Sequence, residues 1–147
     1  MFSSKDMTWE TPHELFNEIN KEFNFTLDPC CVPTTAKCEK FYTPIENGLI
    51  QDWSKEIAFV NPPYGREIGD WVKKSHEESL KGATVVMLIP ARTDTRWFHE
   101  YIYNNAEIRF MKGRVKFLQE GQKKDAAPFP TMLVIFKGRE KKNEKAA

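Results

Sequence analysis

Four consecutive residues, Asn61, Pro62, Pro63 and Tyr64, carry the densest chemistry in this chain. Two adjacent prolines fix φ and stiffen a loop, so that a backbone carbonyl is presented at a set angle. Asn61 offers a side-chain carbonyl and Pro62 a backbone carbonyl, and both are hydrogen-bond acceptors. Two acceptors that converge suit a donor with two hydrogens, such as an exocyclic amine. An amine conjugated to a ring is a weak nucleophile because its lone pair is delocalised. Acceptors that grip both hydrogens favour a pyramidal nitrogen and return that lone pair for attack. Tyr64 adds a flat aromatic face on which a ring can stack. Taken alone, the same residues also describe an ordinary turn, since Asn-Pro and Pro-Pro are common loop dipeptides.

Such a loop needs rigid elements to aim it. Residues 57–60 form an apolar strand that the prolines stop, because neither can donate to a ladder. A helix is predicted over 68–80, with Gly82 as terminator, followed by a strand over 84–89 bounded by Pro90. That strand is apolar on both faces and reads as central and parallel. Residues 95–103 read as helix, 106–110 as strand, and 115–118 and 131–136 as two further strands separated by a polar, proline-containing stretch. Upstream, Thr11 and Pro12 open a helix running to about residue 23, with Glu14 placed for a capping box. Leu15, Phe16, Ile19 and Phe23 share one of its faces. Residues 25–27 form a short strand that ends at Asp28 and Pro29, and Glu46-Asn47-Gly48 carries turn chemistry. Alternating strand and helix is the α/β pattern, with an antiparallel piece at the end. The Asn61 loop then leaves the carboxyl end of a strand, where open α/β sheets collect their ligands.

Composition narrows the partners. The 147 residues carry 22 Lys+Arg and 21 Asp+Glu, a net charge of +1, with 40% hydrophobic and 13% aromatic residues. One hydrophobic core is within reach, and a disordered or fibrous chain is excluded. Wholesale phosphate binding by a strongly basic protein is excluded too, so any contact with nucleic acid needs a local patch, or a homodimer sharing the contact. The amino-terminal stretch lacks the apolar core of a signal peptide, and the longest apolar run, 83–91, is too short to span a bilayer. Cys30, Cys31 and Cys38 are an odd set, which reads as reduced thiols in a cytoplasmic protein. They lack the spacing of a zinc site, so no metal is expected. His13, His76 and His99 are scattered and read as surface residues.

Several stretches together, TWETPHELF, FTLDPCCVPTTAKC, NGLIQDW, FVNPPYG, VVMLIPARTDTRWF and IRFMKGRVKF, resemble the phage DNA N-6-adenine methyltransferase (Dam-like) family. PARTDTRWF with GRVKF is the most specific of them. The resemblance implies an abridged Rossmann-like methyltransferase sheet, mostly parallel with an antiparallel carboxyl-terminal hairpin and helices on both faces. Residues 1–137 would form one such domain, and 138–147 a charged tail. It further implies S-adenosylmethionine as cofactor and double-stranded DNA as partner, with adenine flipped into a pocket formed by Asn61, Pro62, Pro63 and Tyr64. By the same resemblance Asp28, Pro29 and Cys30 look like the first cofactor motif. Asp52 looks like the acidic residue that holds the cofactor's adenosine, and Trp9, Thr11 and Pro12 like a segment closing over its methionine part. Phe110 or Phe117 would flank the flipped base.

Arg92 and Arg96 leave the carboxyl end of the central strand and suit phosphates, with a capped helix start at Asp94 or Thr95 as the plainer reading. Lys112, Arg114 and Lys116 suit a basic hairpin edge, and Lys123 and Lys124 a recognition loop. Two departures from the family stand out. The segment after Asp28 has no glycine, the first in the chain being Gly48. The interval from Asp28 to Asn61 is close to that of one βαβ unit, about thirty residues, so the cofactor half of the sheet is short. Those departures keep two alternatives open: a non-catalytic module binding nucleic acid or protein, and methylation of cytosine N4 or another amine.

Overall fold

The computed structural model describes residues 9–119, 121–123 and 125–139. Most of the tail, the first eight residues and Lys124 lie outside that description. Strand β1 (Ile57–Val60) is followed by helix α2 (Ile68–Leu80) and strand β2 (Thr84–Pro90); helix α1 (His13–Phe23) precedes them. Strands β3 (Glu107–Phe110), β4 (Leu118–Gln119), β5 (Gln122–Lys123) and β6 (Thr131–Phe136) complete the chain. The main sheet has the order β1-β2-β6-β3, and β4 with β5 forms a separate ribbon.

Strand β1 pairs parallel with β2, while β6 runs antiparallel to both β2 and β3. Three of the four strands therefore point one way, and the last strand is threaded between two of them. The ends of β2 and β3 meet the start of β6, Pro90 opposite Thr131 and Phe110 opposite Met132. The carboxyl ends of β1, β2 and β3 thus share one edge of the sheet. Helices cover both faces, as expected. Phe59 of β1 meets Phe16 of α1 at 5.1 Å between ring centroids, and Phe136, on the alternate face, meets His76 of α2 at 5.6 Å. The pleat separates these contacts, because residues of opposite parity point to opposite faces.

The antiparallel carboxyl-terminal hairpin takes a form different from the expected one. Residues 115–117 are not strand, and Leu118–Gln119 pairs with Gln122–Lys123 instead of with β6. Both edges of β6 are occupied by β2 and β3, so no ladder is left for residues 115–118. Leu118 exchanges two backbone hydrogen bonds with Glu10 instead, at 2.7 and 3.0 Å. The helix expected at 95–103 forms over 96–102 and is π-helical at Phe98–Ile102, where the Tyr103 N–H donates to the Phe98 carbonyl at 2.8 Å. Asn104, at φ 67°, then turns the chain, a left-handed conformation that asparagine tolerates.

On the other flank the sheet is short, as the spacing requires. The strand at 25–27 reduces to a parallel bridge between Leu27 and Ala58, and among the described residues no α-helix follows it before β1, only a 3-10 turn at Gly48–Ile50. Residues 28–42 form a loop closed on Asp28, whose N–H donates to the Lys40 carbonyl and whose carbonyl accepts from the Tyr42 N–H, both at 3.0 Å. Gly48 then passes close against it. A Cβ at that position would lie 2.1 Å from the Pro29 carbonyl oxygen, so only glycine permits the approach. No helix among the described residues is long and apolar enough to cross a membrane.

Candidate active site

Asn61 leaves the buried end of β1 and is held from three sides. Its Nδ2 donates to the Trp9 carbonyl and to Thr11 Oγ1, the latter at 3.0 Å. Its Oδ1 accepts from the Tyr64 hydroxyl. That hydroxyl also lies 2.9 Å from the Leu88 carbonyl of β2, so one proton is shared between two acceptors. These contacts explain why Thr11 does not cap α1, which begins after Pro12 without a side-chain cap: its hydroxyl is turned to Asn61. Pro62 is buried and Pro63 half-buried, which keeps the loop pressed to the sheet.

Tyr64 is not the open stacking platform that its type suggested. Only 6% of it is exposed, and Phe117 and Phe129 approach its ring edge-on at 6.0 and 5.6 Å. Trp9 meets the same two phenylalanines at 5.9 and 5.6 Å. Four rings therefore form one cluster directly over the loop. Burial holds the Tyr64 phenol well above its ordinary pKa, so it remains a proton donor. Its role here is to orient the Asn61 amide from below.

Asp28 and Cys30 stand at the same edge. Burial raises the Asp28 carboxyl to about 6, although backbone N–H groups of Lys37 and Cys30 donate to it and pull the other way. Those bonds measure 3.0 and 3.3 Å and fold the glycine-free segment around the carboxylate. The Cys30 thiol is likewise pushed up by burial. Beside them opens a cleft of about 390 Å³ lined by Glu10, His13, Thr34, Thr35 and Gly121. Trp9, Thr11, Asp28, Cys30, Asn61 and Tyr64 are thus brought together, with Pro12 and Pro29 buried or packed behind them.

This geometry can be set beside known proteins. The family model for DNA N-6-adenine-methyltransferase (Dam) matches residues 2–146. The chain belongs to that family. It is 33% identical over 139 residues to the DNA N-6-adenine-methyltransferase of Haemophilus phage HP1, covering 91% of this chain and 80% of the relative. It is 35% identical over 102 residues to the protein of the same name from Escherichia phage T1, covering 68% of this chain and 42% of that one.

Not every residue singled out from the sequence joins the methyltransferase loop. Asp52 lies at the amino-terminal end of the sheet, accepting from the Ser54 N–H at 2.8 Å and standing 4.0 Å from Lys81. Phe117 is fully buried in the ring cluster, whereas Phe110 is 66% exposed at the end of β3. Arg92, Lys112 and Lys116 are exposed at the shared carboxyl edge, and Arg114 reaches the Ala127 carbonyl at 3.3 Å. Arg96 is paired with Glu100 at 2.8 Å, and Thr95 closes the turn before the π-helix by donating to the Arg92 carbonyl and accepting from the Phe98 N–H. Sequence reasoning passed over Phe129, Lys37 and Glu10. The first is a lone aromatic between Pro128 and Pro130 and carries no local signal, and the other two sit far apart in the chain.

Proposed function

We propose that this family member transfers a methyl group from S-adenosylmethionine to the N6 amine of adenine in double-stranded DNA, with the target base rotated out of the stack. The observation that carries the reading is the clamped Asn61 amide at the carboxyl end of β1, followed by two prolines and a buried tyrosine. A stacked base cannot present its amine to such a loop, so the base must leave the duplex. Asn61 Oδ1 and the Pro62 carbonyl accept the two amine hydrogens, and the Tyr64 hydroxyl yields its place on Oδ1 while keeping its bond to Leu88. The half-buried rings of Trp9 and Phe129, backed by buried Phe117, are the apolar surface available to the base as it enters.

The donor group is chemically compatible with its surroundings. A sulfonium carries a positive charge, and the edge offers the carboxyl groups of Glu10 and Asp28, the hydroxyls of Thr34 and Thr35, and the indole of Trp9. Trp9, Thr11, Pro12 and the Asp28-Pro29-Cys30 turn would hold it. When bound, it supplies an electrophilic methyl group that needs no metal. The protein's share is positioning and hydrogen bonding. Exposed Arg92, Lys112 and Lys116, with Arg114 beside them, give the local positive edge that phosphates require.

The test uses unmodified duplex DNA and S-adenosylmethionine labelled on its methyl group. Label should enter DNA, and nucleoside analysis should place it on N6-methyladenosine rather than on N4-methylcytosine. Transfer that is absent, or that persists unchanged in Asn61→Ala, would end this reading.

A further inference from the structure

The turn that leaves β2 is braced along its backbone and free at its side chains. The Ala91 N–H donates to the Pro130 carbonyl and the Arg92 N–H to the Pro90 carbonyl, both at 2.9 Å. Thr95 Oγ1 donates to the Arg92 carbonyl and His99 Nε2 to the Thr93 carbonyl, both at 2.8 Å. Arg92, Thr93 and Asp94 are exposed at the tip. Among the described residues, the Arg92 and Asp94 side chains make no hydrogen bond or ion pair, not even with each other.

Asp94 is therefore without a structural task. An aspartate in a turn ordinarily accepts from a nearby backbone N–H, and one before a helix caps it. Here Thr95 accepts from the Phe98 N–H at 3.3 Å and does the capping. Phosphates do not explain the carboxylate either, since like charges repel, yet it stands two residues from Arg92 on the edge where Lys112 and Lys116 are exposed. What a carboxylate can accept from on a duplex is an exocyclic amine. In the major groove cytosine presents N4 and adenine N6, whereas guanine and thymine present acceptors. We propose that Asp94 reads the DNA sequence beside the target adenine, accepting from the amine of a cytosine or adenine and rejecting guanine and thymine at that position. The brace fixes the carboxylate relative to the catalytic loop, because the same strand holds the Tyr64 hydroxyl at the Leu88 carbonyl, 2.9 Å away. Arg92 supplies the phosphate contact that sets the register. This assignment rests on the reaction proposed above and adds which bases can flank its target.

The test methylates a pool of duplexes randomised on either side of a candidate adenine, with methylated positions read by single-molecule sequencing. Wild-type protein should favour an amine-bearing base over guanine or thymine at one flanking position by about tenfold to a hundredfold, the cost of one wrong base pair. Asp94→Ala should erase that preference and leave those at other positions as they are. Replacing the favoured cytosine by 2-pyrimidinone, or the favoured adenine by purine, removes only the amine. It should slow the wild type as much as a wrong base does and leave Asp94→Ala indifferent. Arg92→Ala, by contrast, should weaken binding to all sequences alike and reduce the salt dependence of log affinity by about one unit of slope. A preference that survives Asp94→Ala, a wild type indifferent to the amine, or an equal change at every sequence would make Asp94 a plain surface charge and overturn its reading role while the reaction stands. Wild-type protein that methylates no member of the pool would overturn the reaction itself, and the reader with it.

Discussion

The two ends of the sheet are both rich in polar groups, yet they are built on opposite principles. At the amino-terminal end, Glu78 is almost fully buried, accepts from the Trp53 N–H at 2.6 Å, and pairs with Lys81 at 2.7 Å and Lys74 at 3.2 Å. Lys74 also donates to the Gln51 carbonyl and lies over the Trp53 ring, and Glu56 is tied to Lys40 and Thr26. Each group there is closed by partners from α2 and from the chain before β1. At the carboxyl end, the partners of Asn61, Glu10 and Lys37 come from the 9–11 segment and the loop after Asp28. They are a carbonyl, a hydroxyl, a carboxylate and an ammonium. The first end is a seal, and the second is a set of contacts that ligands can replace.

The sharpest way to break this contrast is Asn61→Ala. Removing an oriented acceptor from a catalytic site costs about a hundredfold to a thousandfold in rate, so methyl transfer in single-turnover assays should fall by that much. Stability should change by only about 1 kcal/mol, since exchangeable hydrogen bonds contribute little net energy to folding. Glu78→Ala is its mirror image. Loss of the carboxylate leaves Lys74 without its counter-charge and the Trp53 N–H without its acceptor, and breaking a buried pair costs about 3 kcal/mol or more, read as a lower urea midpoint. Methyl transfer per folded molecule should stay near wild type. If Glu78→Ala silenced catalysis while the fold held, the two ends would be coupled and the contrast would fail.

A third measurement probes the carboxyl end through pH. Burial raises the Asp28 carboxyl from its ordinary 3.8 to about 6. The folded state therefore binds this proton more tightly than the unfolded chain. Its stabilising contribution is fully present below about pH 4 and is lost as pH rises through about 6. The span amounts to about 3 kcal/mol at most. Wild-type protein should gain stability relative to Asp28→Asn as pH is lowered from 7 to 4, measured by denaturant titration at each pH. Parallel stability profiles would mean that the carboxyl is as well solvated as one at the far end.

Much of the working edge was legible because its information is local. Asn-Pro-Pro-Tyr after a short apolar strand places an acceptor pair at a strand end, and the all-apolar run at 84–89 places the central strand. The abridged flank followed from the short interval between Asp28 and Asn61, set against the motifs that the family resemblance assigns to them. What escaped depends on contacts between distant segments. The apolar residues at 115–118 carry no mark that both edges of β6 are taken, so their strand signal pointed to a hairpin that cannot form. Thr11 followed by Glu14 looks like a capping box, and nothing local reveals that Asn61 claims the hydroxyl. Tyr64 showed its ring type but not the two phenylalanines that close on it. Lys37 and Glu10 are paired only because the loop closed on Asp28 returns to the amino-terminal segment.

The smallest expected effect is the most discriminating for the reading of Asp52. Its place in the sequence, a few residues before the catalytic strand, matches the family's acidic cofactor residue. In the fold the chain descends from Gly48 to the start of β1, which leaves Asp52 among Ser54, Lys81 and the other charges of the sealed end. Its carboxyl is held below its ordinary value chiefly by the hydrogen bond from the Ser54 N–H, and its side chain is 73% exposed. A carboxylate of that kind acts as a local turn cap. Asp52→Ala should therefore leave the affinity for S-adenosylhomocysteine, the donor without its methyl group, within about twofold, less than half of the 1.4 kcal/mol that makes a decade. Calorimetry beside the wild type reads the difference directly. A loss of about tenfold or more with Asp52→Ala would draw the ligand toward the end of the sheet that the structure closes, and the division between seal and site would have to be abandoned.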